Sequence, residues 1–164
     1  FNYEYTGVMA YTDIITLADA KTYLRIDDTL SDDDAQITRM IKASLSQIER
    51  ATNYVFFPRE KSYIVENLSV NVYDFPINSL TSPTTATSVE KSVYTTYTTI
   101  VATDLKVILN VGYTTPSDVP SDLVEVAYEM IDLMYYSPET GKSIKSDLSE
   151  LSKMVLSNYK RFFI

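Results

Sequence analysis

Apolar residues recur at helical spacing in four stretches of the chain and at alternating positions between them. From residue 34 to 52, Ile37, Met40, Ile41, Leu45, Ile48 and Ala51 form a stripe of period 3.6, which predicts one long amphipathic helix. Leu17, Ala20 and Leu24 predict a shorter helix just before it. Thr16 stands three residues before Asp19, and Ser31 three before Asp34. In that arrangement a hydroxyl accepts an orphan backbone N–H, while a first-turn carboxylate faces the positive end of the helix dipole. Asn53 is placed to cap the long helix at its other end. Further on, Leu123, Val126, Ala127, Met130, Leu133 and Met134 predict a third helix, opened by Ser117, Asp118, Val119 and Pro120. Proline is tolerated there because the N–H it lacks would be unpaired anyway. After a break at residues 137–141 (SPETG), Ile144, Leu148, Leu151, Val155, Tyr159 and Phe162 predict a fourth helix from about Ser143.

Between residues 59 and 111 the period changes to two. Tyr63 and Val65 alternate with Ser62 and Ile64, and Leu68, Val70 and Val72 alternate with Ser69, Asn71 and Tyr73. Asn67 predicts a hairpin between these runs, although no Asn-Gly pair marks a tight turn. Residues 74–83, with two prolines, read as a connector. The Thr/Ser-rich residues 84–104 have the β-branched and aromatic content of a solvated or interface-forming hairpin. Low-complexity disorder is the alternative, opposed by the apolar anchors Val93, Tyr94, Tyr97, Ile100 and Val101. Residues 105–111 predict a buried strand stopped by Gly112, and Pro58 biases Phe57 away from helix. Residues 1–15 lack a helical period and read as an extended arm with an edge strand over 8–11. The arm's Phe1, Tyr3 and Tyr5 pack either on the chain's own core or on a neighbour. The expected fold is α+β, mainly α: a bundle of about four helices, two N-terminal and two C-terminal, with a central β insertion of hairpins. One domain is expected over residues 1–164, made of the arm (1–15), a helical hairpin (16–53), a β region (59–111) and C-terminal helices (117–162).

Composition narrows the chemistry. The 164 residues are 45 % apolar and 22 % charged, as in globular proteins. No run approaches the roughly 18 apolar residues of a membrane span, and the first residues carry no secretory-signal pattern. The chain has no cysteine and no histidine. Thiolate catalysis, disulfides and cysteine-based zinc sites are therefore excluded, and the commonest general base and metal ligand is missing. A net charge of −8 opposes a groove that grips nucleic-acid phosphates, while allowing a surface past which DNA slides. Fourteen tyrosines with no tryptophan suit half-buried strands and interfaces, where the ring is covered and the hydroxyl stays wet.

Three groups stand out as candidate sites. The acidic turn Asp27, Asp28, Asp32, Asp33 and Asp34 lacks the alternating ligands, turn glycine and closing Glu of a calcium loop, so it reads as solvated cap and turn chemistry, with a weak cation site as the alternative. Tyr94, Thr95, Thr96 and Tyr97, in the run YTTYTT, read as an exposed hairpin or as a contact loop. The closing residues Tyr159, Lys160, Arg161, Phe162 and Phe163 read as a helix end with cations at the negative dipole terminus, or as a docking tail with apolar anchors. The second is favoured, because Phe163 and Ile164 would otherwise be bare. Scattered glycines, at 7, 112 and 141, cannot build a phosphate loop. No catalytic, cofactor or metal site is expected.

The order of motifs resembles a known family. The phrase ITLADAKTYLRID is followed by an acidic turn and DDAQITRMIKASLSQIERATN. It is similar to the opening of the head-to-tail connector (adaptor, neck ring) proteins of tailed bacteriophages, through Thr16, Leu17, Ala20, Lys21, Leu24, Arg25 and Asp27, then Asp34, Ile37, Ile41, Ala43, Ile48, Glu49 and Thr52. Phe75, Pro76 and Ile77 match the family's proline-containing turn, and Val111, Gly112 and Tyr113, followed by Val119, Pro120 and Leu123, match the entry to its third helix. Leu156, Tyr159, Lys160 and Arg161 are similar to its closing phrase. The tyrosine-rich arm and the Thr-rich β excursion depart from the pattern. The resemblance implies a structural, non-enzymatic virion protein, assembled in the host cytoplasm as a homo-oligomeric ring, usually of twelve copies, at the head–tail interface. It further implies a portal partner docked by the C-terminal segment, a second neck or tail protein, and genomic DNA passing through the lumen without sequence-specific binding. No cofactor and no membrane enter. The alternative is a tail-completion or receptor- or glycan-binding virion module that uses the tyrosine-threonine face.

Overall fold

A computed structural model describes residues 9–82, 97–136 and 147–160, and the backbone of 90–93. The fold is α+β and mainly α, as expected. Helix α1 (Tyr11–Ile14) is a single turn closed by Asp13, whose carboxylate accepts the Ala10 N–H at 2.6 Å. Of the edge strand expected over residues 8–11, the described residues 9–11 form none: they lead into this turn. Met9 and Ile15 are buried in the helical core and Tyr11 reaches Glu49, so burial on both sides curls the chain instead of extending it.

Helix α2 (Leu17–Leu24) begins as its sequence indicates: the Thr16 hydroxyl accepts the Asp19 N–H at 3.1 Å and donates to the Asp19 carboxylate at 2.6 Å. It ends at Arg25, which adopts a left-handed conformation (φ 59°). Helix α3 (Asp34–Thr52) buries Ile37, Ile41, Leu45 and Ile48 and ends on left-handed Asn53 (φ 61°), both as expected. Its start differs. The Ser31 hydroxyl caps nothing; the Ser31 carbonyl accepts the Asp34 N–H at 3.2 Å. Asp33 occupies the cap position without capping. Its carboxylate is drawn across to the Tyr135 hydroxyl, 2.7 Å away.

The β region forms two three-stranded antiparallel sheets. In one, β1 (Arg59–Ile64) and β3 (Ile77–Ser82) flank β6 (Lys106–Val111); in the other, β2 (Ser69–Val72) and β4 (Glu90–Val93) flank β5 (Thr98–Val101). Asn67 and Leu68 do form a tight two-residue turn, both at positive φ, with Glu66 and Ser69 exchanging backbone bonds at 3.1 Å. The expected β1–β2 ladder goes no further. The strands diverge so that Val107, Leu109 and Val111 of one sheet and Val72 and Ile100 of the other line one shared core. Residues 77–82, expected as connector, are an edge strand whose register against β6 slips twice. With only Ile77 and Leu80 apolar, little in this segment's own pattern marks a strand. The hairpin expected within 84–104 is present as β4 paired with β5, and the buried strand before Gly112 is β6.

A short 3₁₀ turn (Pro116–Asp118) leads into α4 (Ser121–Tyr136), where Pro120 offers its carbonyl to the N–H groups of Leu123 and Val124. Helix α5 (Glu150–Asn158) starts at Ser149, whose hydroxyl accepts the Ser152 N–H. The fourth helix expected from Ser143 is therefore corrected within its described part. The restart at Ser149 shifts the phase, so Leu148, Ser152 and Leu156 face inward and Leu151 is 66 % exposed.

Two cores result, one helical and one between the sheets. The chain joins them at extended neighbours: Val55 points into the β core and Phe56 into the helical core. Backbone bonds from Val55 to Phe75 (2.7 Å) and from Tyr113 to Val55 (3.0 Å) fix this joint.

Candidate functional site

At the joint, the Glu49 carboxylate accepts three bonds: from the Tyr11 hydroxyl (2.6 Å), the Phe56 N–H (2.6 Å) and the Arg59 guanidinium (2.7 Å). One side chain thus ties the N-terminal turn, α3, the link to the sheets and the start of β1. Burial, with the Glu49 charge beside it, pushes the Tyr11 hydroxyl up to about 12. Burial works against the Arg59 charge, and Glu49 more than offsets it. A cleft of about 310 Å³ opens here, lined by Ser46, Arg50, Asn53, Lys61 and Asp74 besides the network itself. Asp74 in turn accepts from Lys61 (2.9 Å) and Tyr63 (2.6 Å). Each carboxylate is matched by a cation and a phenol, which suits a locked joint.

The acidic turn is held by local bonds. Asp27 accepts from the Thr29 N–H (2.8 Å) and hydroxyl (2.6 Å), which hold its carboxyl below the ordinary value. Buried Lys21 binds the Asp28 carbonyl (3.2 Å) and pairs with Asp34 (2.7 Å). Asp33 takes the Tyr135 hydroxyl, and Asp32 is exposed. Among the described residues no group of three or more potential metal ligands converges. Two of the five aspartates therefore fasten helices together: Asp34 ties α3 to α2 through Lys21, and Asp33 ties the start of α3 to α4 through Tyr135.

Of the C-terminal candidates, Tyr159 is engaged internally. Its hydroxyl donates to Asp122 (2.9 Å), its ring meets Tyr54 edge-on at 5.1 Å, and burial followed by Asp122 pushes it up to about 12. Lys160 is exposed; Arg161, Phe162 and Phe163 lie outside the described residues. Tyr97 is half-buried with its ring 5.9 Å from Tyr73, while Tyr94, Thr95 and Thr96 lie outside the described residues.

Two surfaces escaped the sequence reading. Ile64 (74 % exposed), Leu68, Val101 and Leu105 (83 % exposed) gather at one end of the sheets. Backbone bonds from Val65 to Leu105 and from Ala102 to Leu68 bring them together. On α4, Asp122, Glu125, Glu129 and Asp132 lie opposite the buried face, beside stacked Tyr23 and Tyr128 (4.8 Å). Their spacing of three, four and three was legible in the chain; the apolar cluster, built from two separate segments (64–68 and 101–105), was not.

The sequence matches the family model described as phage gp6-like head-tail connector protein over residues 14–104, more than half of the chain. The chain belongs to that connector family. No curated protein matches it. Solved structures with the same fold include a chain from the virion of a native gene transfer agent particle, at 15 % identity and a TM-score of 0.72. A chain from the neck of an empty particle, computed with C6 symmetry, gives 15 % and 0.74. One from the neck of a native particle, computed with C12 symmetry, gives 13 % and 0.71. Each match covers 96 % of this chain and 95 % of the other. The residues of the connector phrase have physical roles: Thr16 caps, Lys21 and Asp34 pair, and Glu49 and Thr52 hold the joint, where the Thr52 hydroxyl donates to Ile48 and accepts from Tyr54.

Proposed function

We propose that this connector is a structural, non-enzymatic part of a virion neck, assembled from copies of itself into a ring at the head–tail junction. The observation that carries the reading is the connector-family match. The shared fold with chains from necks computed with C6 and C12 symmetry supports a ring, with twelve copies as the working number. The C-terminal segment from about Met154 docks on the portal. Leu151 and Met154 are exposed on α5, and Lys160 is exposed just beyond its end, which supports this. Residues 94–97 face a ring neighbour or the next neck protein. Genomic DNA passes through the lumen, where a chain of net charge −8 repels phosphates rather than gripping them. Such a role asks for rigidity, which capped helices and the locked joint at Glu49 provide.

Light scattering coupled to size exclusion, with and without portal, tests this reading. A multimer alone, or a stoichiometric complex with portal, is expected. A monomer that ignores portal at every concentration overturns it.

A further inference from the structure

The two long helices carry opposite charge on their solvent faces. On α3, Arg39, Lys42 and Arg50 form an outward row through Ser46, at spacings of three, four and four, and residues 35–48 contain no acid. None of the three cations has a carboxylate partner among the described residues. On α4, the outward row is Asp122, Glu125, Glu129 and Asp132, and the helix has no Lys or Arg at all. Asp122 is engaged by Tyr159, and Glu129 by Ser149 and Ser152 of the α5 start, which leaves Glu125 and Asp132 for outside contact. After burial, Asp132, Glu125 and Glu129 raise the Tyr23 phenol, and Asp19 and Glu125 raise that of Tyr128. Tyr23 remains 44 % exposed. An open tyrosine ring ringed by carboxylates is a receptor for a guanidinium or ammonium group, through ion pairing and cation–π attraction.

Helices α3 and α4 pack on each other through their apolar faces, so the two charged rows look outward in different directions. Each row spans roughly 15 Å at 1.5 Å per residue. A face and its complement on different sides of one chain make a head-to-tail contact, which closes into a ring when the rotation permits.

We infer that the basic row of α3 (Arg39, Lys42, Arg50) docks on the acidic α4 surface (Glu125, Asp132, with Tyr23) of a second copy of this chain. The inference rests on the ring reading and says which surfaces make the ring. It also sets the register by charge, and it weakens with salt, because exposed pairs are screened beyond about 8 Å at physiological ionic strength.

Charge exchange tests it. One variant carries Arg39→Glu and Lys42→Glu; another carries Glu125→Lys and Asp132→Lys. All four positions lie on outward faces, so thermal melting of each variant serves as the folding control. Light scattering at low salt should show wild type assembled. Each variant alone should need at least about tenfold more protein to assemble, because its two faces now repel. An equimolar mixture of the two, and the chain carrying all four changes, should recover assembly. Variants that assemble like wild type, or a mixture that fails to recover, overturn the charged contact while leaving the ring reading intact. A wild type that assembles neither alone nor on portal overturns both. Rings that persist in the α3 variant while weak, salt-sensitive binding of duplex DNA disappears assign the basic row to DNA instead.

Discussion

The helical layer and the β layer of this connector are built to different rules. In the helices, apolar residues are gathered inward, charges on α3 and α4 are sorted by sign on the outside, α2 and α5 begin on a hydroxyl cap, and α2 and α3 end on a left-handed residue. In the sheets, strands are four to six residues long, one edge strand slips register twice, and large apolar side chains stand open at the layer's end. The first arrangement fixes a shape; the second leaves surface for contact. The Glu49 joint transmits one to the other, so damage there should cost more than damage to either exposed end.

The largest effect is expected at Gly112. Its φ of 118° is a conformation side chains rarely adopt, and a Cβ would lie 2.2 Å from the Phe57 carbonyl oxygen, on backbone that the joint holds in place. Gly112→Ala should destabilise by at least about 4 kcal/mol in chemical denaturation. A loss below about 1 kcal/mol would show that the joint is looser than described. Next comes Glu49→Ala, which strands a partly buried guanidinium, a backbone N–H and a phenol; about 3 kcal/mol is expected. If the layers are coupled through this residue, fluorescence from the tyrosines and far-ultraviolet circular dichroism should still report one transition in wild type and separate in the variant.

Tyr11 gives a smaller effect with a defined sign. Its folded value of about 12 lies above the ordinary 10.0, so the folded chain favours the neutral phenol. The stability this supplies is fully present below pH 10 and is lost as pH rises towards 12. Tyr11→Phe should cost about 1 kcal/mol at neutral pH and flatten that alkaline loss, with the remainder coming from the other raised phenols, Tyr159, Tyr23, Tyr128 and Tyr135. The smallest effect is expected at the open end of the sheets: Ile64→Ser and Leu105→Ser should change stability by less than about 0.5 kcal/mol, against about 3 kcal/mol for Ile41→Ala in the helical core.

The same contrast explains what could be read from the chain. Helix α3 was legible because its stripe and its Asn53 cap are local. The Ser31 cap failed because a residue 102 positions away, Tyr135, claims Asp33. Strand β3 was hidden because its partner β6 supplies the apolar side chains, and the β1–β2 hairpin was overruled by later strands that complete the shared core. Glu49 stood in the family phrase without a role, since its three partners come from three segments of the chain. The charged rows of α3 and α4 were visible as spacing, yet only packing shows that they face outward.

Electron micrographs of the full chain incubated with portal test the central claim most directly. Class averages with a ring of six- or twelvefold symmetry seated on the portal are expected. Portal particles bare of any added ring, at concentrations where both proteins remain folded, would contradict it.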